Sequence, residues 1–223
     1  RAGQPAARSR SASARAAFAD RSVARWVASE LFANAAWAGT LVYAGAFFAD
    51  SYGTSPKLTG CLLAVAAGAY VAGNLTSRRL VRRAPGRTLV LLAVLLAITA
   101  SLFGVARSVI AMSTALLSSA AFLAGARTLI ASAFALATAP ELRLAVTSLR
   151  AATMQFGYFA GSIAGGTALA LGGYGALGAT MGLFFLGAAA TLARRPTSQP
   201  TPTERADVVA RTRARPALSE AGG

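Results

Sequence analysis

Arg127 stands alone in an uncharged run that extends from Ser108 to Pro140. A guanidinium among apolar residues is costly unless a counter-ion, hydrogen-bond acceptors or water meet it, so its presence points to a specific task. Glu30 is a second charge among apolar residues, and Asn34, Trp37 and Leu41 continue its helical face, with Thr40 and Tyr43 nearby. Gln155, Tyr158 and Ser162 recur at i, i+3 and i+7, and Tyr70 and Asn74 add further polar groups. Side chains of these types bind small polar molecules, hold a proton on a carboxylate, or tie helices together. The chain has no histidine and one cysteine, Cys61, which leaves a metal site, a disulfide within the chain or a histidine-based triad without the residues they require. No metal, cofactor or catalytic residue is expected. An enzyme is the weakest reading, since Glu30, Asp50 and Glu141 all fall near helix ends and no nucleophile motif accompanies them.

The elements that must position these groups are apolar. Of 223 residues 55% are hydrophobic and only 13% charged, about half the usual charged share of a soluble domain. Charges divide the sequence into six hydrophobic runs, about 26–49, 58–75, 89–106, 109–137, 148–171 and 175–193. Each has the length needed to cross a hydrocarbon core of about 30 Å at 1.5 Å per residue. "LVLLAVLLAITASLFGVA" has no polar face at helical spacing, which separates it from a helix of a soluble bundle. The expectation is an all-α integral membrane protein, a bundle of six transmembrane helices over residues 20–195.

The net charge of +15 comes from 22 basic and 7 acidic residues. Six arginines precede the first run, five lie between the second and third, two fall near the fourth-to-fifth turn and six follow the last, against Lys57 and Arg107 on the other side. This bias predicts that both termini and the "RRLVRRAPGR" loop face the cytoplasm of a cell membrane crossed many times. The partner of the basic surplus is then the anionic lipid bilayer. Nucleic acid is not expected, because the basic residues lack interleaved aromatics and any binding motif. Residues 1–19 read as a disordered basic cytoplasmic linker and residues 196–223 as a disordered cytoplasmic tail. A start at Arg1 rather than Met is read as a piece of a longer protein, or as a mis-started one. Trp26 fits the inner membrane interface and Tyr52 and Tyr174 the outer one, and ordinary packing is an equal reading of each.

Two of the charges have competing readings. Glu30 is either an interfacial carboxylate paired with Arg25 or with a loop arginine, or a protonatable coupling carboxylate. Arg127 lies roughly 20 Å of helix before Pro140. It either snorkels or pairs structurally, or it faces a pathway, where it binds an anionic or polar substrate or pairs with a coupling carboxylate. Gly157, Gly161 and Gly165 repeat every four residues, a stripe against which a neighbouring backbone can pack closely.

The loop "GNLTSRRLVRRAPGR" resembles the Gly-x-Leu-x-Asp-Arg-x-Gly-Arg signature of the major facilitator superfamily. Gly73, Leu75 and Arg78 match its start, and Gly86 and Arg87 supply a displaced ending. Ser77 occupies the position of the family's acidic residue. "APELRLAVTSLRAATMQFGYFAGSIAGG" is similar to the stretch joining the fourth and fifth helices of that family's C-terminal half. The register of the six runs is that of such a half, most like bacterial drug and sugar exporters. The resemblance implies secondary active transport by alternating access, with proton-coupled efflux of a drug, sugar or metabolite. It further implies a partner N-terminal six-helix half and a pathway lined by the first, second, fourth and fifth helices. These carry Asn34, Trp37, Tyr43, Tyr70, Arg127, Gln155 and Tyr158 as pathway candidates, Glu30 as the coupling candidate, and Gly73, Leu75, Arg78, Gly86 and Arg87 as the gating-loop motif. The alternative is a standalone six-helix membrane protein with a structural or assembly role, possibly a homodimer.

Overall fold

The computed structural model describes residues 21–77, 85–138 and 143–193. The expected linker, the expected tail and Arg78 of the loop motif lie outside them. Every described element is helical: α1 (Arg21–Tyr52), α2 (Pro56–Thr76), α3 (Pro85–Val105), α4 (Ile110–Thr138) and α5 (Arg143–Ala193). In lipid this is one of the few ways a chain can satisfy its backbone N–H and C=O groups. The helices begin earlier than the apolar runs, α1 at Arg21 and α3 at Pro85. Polar residues at helix ends lower hydropathy without interrupting the hydrogen-bond ladder, and a proline in the first turn lacks only an N–H that would have no partner. At α2 the Ser55 hydroxyl also accepts the Leu58 N–H at 3.4 Å, capping that end.

Five helices are long and apolar enough to cross a membrane, where the sequence predicts six. The difference lies in α5, which runs for 51 residues but has non-helical dihedrals at Gly172 (φ −152°, ψ 20°) and Gly173 (φ 65°, ψ −161°). Its packing shows a reversal of direction there. Gly161 and Met181 both lie against Gly39, although a straight helix would separate them by about 30 Å. Residues 143–171 and 174–193 are therefore two antiparallel limbs. Gly173 supplies the positive φ of the turn, a conformation other residues rarely adopt.

α1 packs along both limbs. Gly157, Gly161 and Gly165 meet Leu31–Asn34, Ala35 and Tyr43 in rising order, so the first limb is parallel to α1. The second limb is antiparallel: the Arg25 guanidinium donates to the carbonyls of Thr191 and Leu192, and the Ser29 hydroxyl donates to that of Ala188 at 3.0 Å. α3 packs on the second limb through Gly104 and Gly178, whose backbones touch. α2 packs on α4, where Gly73 faces the Phe122 carbonyl and Gly125 faces that of Tyr70. Lipid tails are as apolar as leucine, so close backbone approach at small residues, rather than escape from water, holds such helices together. At one end Phe47 is surrounded by Phe103, Tyr174, Phe48 and Tyr52, with ring centroids 4.4, 5.1, 5.6 and 6.1 Å away. At the other, Trp26 is only 1% exposed and packs with Val23 and Ala135. Of the two readings of Trp26, this burial favours packing.

Candidate functional site

The Arg127 side chain points into the bundle, and Arg127 and Glu30 are 5% and 2% exposed. Its Nη1 lies 2.7 Å from Oε1 of Glu30. The contact brings opposite charges together without the alignment of a hydrogen bond, so Oε1 of Glu30 and Nε of Arg127 have no hydrogen-bond partner. Nη2 donates to the Ser29 hydroxyl at 3.2 Å and, more weakly, to the Ser29 carbonyl at 3.4 Å. Ser29 in turn donates to Ala188, which links the ion pair on α1 and α4 to the second limb of α5. The reading of Glu30 as a partner of Arg25 is corrected: Arg25 is occupied by the carbonyls at the end of α5, and Glu30 meets Arg127. Snorkelling of Arg127 is corrected for the same reason, since its guanidinium is enclosed by three helical segments.

Beside this pair lies a more open face. Asn34 is half-buried, donates to the Glu30 carbonyl at 2.8 Å and sits against Gly157. Trp37 is buried and stacks on Tyr70, with ring centroids 6.1 Å apart and planes 16° from parallel. The hydroxyls of Tyr70 and Thr128 are hydrogen-bonded at 3.0 Å, which joins α2 to α4. Tyr158 is 38% exposed, and Gln155 is exposed. Groups from α1, α2, α4 and the first limb of α5 thus converge, offering two flat aromatic rings, amide and hydroxyl donors and a cation.

Other candidates have different places. Tyr43 donates its hydroxyl to the Ser162 carbonyl at 2.8 Å and lays its ring on Gly165 and Gly166, a tie between α1 and α5. The Ser162 hydroxyl donates back to the Tyr158 carbonyl of its own helix. Of the loop motif, Gly73 is buried in the α2–α4 crossing, Leu75 and Arg87 are exposed, and Gly86 is half-buried.

The family model described as Major Facilitator Superfamily matches residues 27–221, most of the chain. The chain belongs to the Major Facilitator Superfamily. It is therefore a transporter, and its apolar helices make it a multi-pass membrane protein. No curated protein and no solved structure matches this superfamily member. Two residues of its site escaped the sequence reading: Ser29, an ordinary serine until Arg127 and Ala188 are seen on either side of it, and Gly125, which lacks the four-residue repeat that exposes the α5 stripe.

Proposed function

We propose that this superfamily transporter carries a small molecule out of the cell by alternating access, coupled to protons, and that the chain supplies one six-helix half. In this reading the two limbs of α5 are the fifth and sixth crossings, both termini face the cytoplasm, and the face around Asn34, Trp37, Tyr70, Gln155 and Tyr158 lines the substrate path. A second six-helix bundle supplies the opposite wall. The observation that carries the reading is the buried Glu30–Arg127 pair directly beside that face. Protonating a carboxylate held by a cation away from bulk water removes the attraction between the two helices, which is how proton binding here would favour a second arrangement of them. The open, partly exposed aromatic face beside it supports binding there rather than closed packing.

The test is flux through the complete transporter in proteoliposomes, with an internal pH dye reporting proton movement. An imposed pH gradient is expected to drive substrate accumulation, and Glu30→Gln to abolish that accumulation while substrate exchange continues. Correctly inserted protein that moves neither protons nor any compound of a broad drug and sugar panel would sink the proposal.

A further inference from the structure

A groove of about 410 Å³ opens between the end of α3 and the start of α4, within the size range of small-molecule sites, about 300–1,000 Å³. Leu102 and Val105 form its α3 wall, Met112 and Leu116 its α4 wall, and the turn at Arg107 closes one end. Leu102, Val105 and Met112 are 47%, 63% and 45% exposed, so the apolar walls stand open to the surroundings. α3 has 21 residues and is about 31 Å long, the thickness of a hydrocarbon core, which puts the turn after Val105 at the level of headgroup phosphates. From that level the α4 wall, Ile110 to Leu116, reaches about 9 Å into the hydrocarbon.

The closed end carries the charge. Arg107 is exposed, yet its guanidinium has a fixed place over the Tyr174 ring, 5.7 Å from the centroid. Tyr174 donates its hydroxyl to Asp50 at 2.6 Å, and no ion pair joins Asp50 to Arg107. The acidic residues outside the described segments adjoin the other end of the bundle. Glu141 follows α4, whose 29 residues put about 40 Å between its two ends, and Asp20 precedes α1 at the end opposite Tyr52. Those after Ala193 follow the limb whose end meets Arg25. The surroundings of Arg107 thus hold it in place without neutralising it.

An apolar slot that ends in a fixed cation at phosphate depth matches an amphiphile with an anionic head. A purely apolar guest leaves the guanidinium unmet, and a free inorganic anion leaves the walls uncovered. A zwitterionic headgroup brings its own ammonium near the cation, whereas a phosphate with no such neighbour delivers its full charge to the guanidinium fork. The N-terminus of α4, at the same end of the slot, adds a partial positive charge.

We propose that the α3–α4 groove binds one anionic phospholipid of the bilayer, its phosphate on Arg107 and an acyl chain between the two walls. Because Arg107 rests on Tyr174, and Tyr174 on Asp50, a lipid held there braces the α3–α4 turn against α5 and α1. The site does not depend on which face of the bundle carries substrate.

The test is photo-crosslinking of the protein in phosphatidylcholine nanodiscs that contain a trace of phospholipid with a diazirine on one acyl chain near the headgroup. The headgroup is either phosphatidylglycerol or phosphatidylcholine, and adducts are mapped by peptide mass spectrometry. Leu58 is the control: it is exposed, follows Lys57, and lies at the same end of the bundle, where the Tyr52 hydroxyl donates to the Ala106 carbonyl at 3.0 Å. The phosphatidylglycerol probe is expected to label residues 102–116 about fivefold more than the region around Leu58, the worth of one basic residue toward an anionic headgroup, and the phosphatidylcholine probe to show no such excess. Arg107→Gln is expected to remove the excess and Arg107→Lys to keep part of it. Unchanged labelling around Leu58 in each variant reports that the protein is inserted and folded. Equal labelling of the groove and Leu58, the same excess with both headgroups, or an excess that survives Arg107→Gln overturns the inference.

Discussion

Replacing either member of the buried ion pair is expected to be far more damaging than replacing both. Two unit charges about 4 Å apart gain about 4 kcal/mol at an effective dielectric of about 20, and moving two ions out of water costs a similar amount. The intact pair therefore adds little net stability over an apolar pair of the same size. The single variants Glu30→Met and Arg127→Met keep the volume but strand the remaining charge. Arg127 would be left with two contacts to Ser29, the longer at 3.4 Å, and Glu30 would be left 2% exposed without its cation. Each single change should cost about 3–5 kcal/mol, and the double change at most about 1 kcal/mol. Equilibrium unfolding in mixed detergent micelles measures all four proteins, and the double-mutant cycle gives a coupling of several kcal/mol. Single variants that each cost less than about 1 kcal/mol, or effects that simply add, would refute the account of a mutually dependent pair.

Two further predictions concern the glycines. Gly161→Val puts a β-carbon against the Ala35 carbonyl, where backbone cannot yield, and should cost about 2 kcal/mol or more, whereas Gly68→Ala, which meets open space, should be neutral or slightly stabilising; thermal unfolding of the purified protein distinguishes them. Gly173→Ala places a side chain at φ 65° and should cost about 1–2 kcal/mol by the same measurement, with helix content unchanged by circular dichroism.

The chain's class was legible in its sequence because the bilayer imposes a one-dimensional requirement. A crossing helix needs a sufficient apolar run, and the Gly157, Gly161, Gly165 stripe is visible because one helix face repeats at a fixed spacing. The reversal at Gly172 and Gly173 was read in the same way, as the gap between two runs. That Arg127 could pair with a coupling carboxylate, with Glu30 the candidate, was one of the sequence readings, but nothing in the sequence chose it over the others. Glu30 lies on another helix, and opposite charges distant in sequence carry no mark of which will meet; Arg25, five residues away, was the nearer guess and the wrong one. Trp26 stayed open for a related reason, since an aromatic at a run's edge has the same composition signal whether it faces lipid or core. The sequence by itself determined which solvent this protein inhabits. Only the tertiary structure decided which charges are matched and which is left over, because that depends on helix rotation and crossing. Those are fixed where glycine backbones touch, at Gly73, Gly104, Gly125 and Gly161, far from the charges they align.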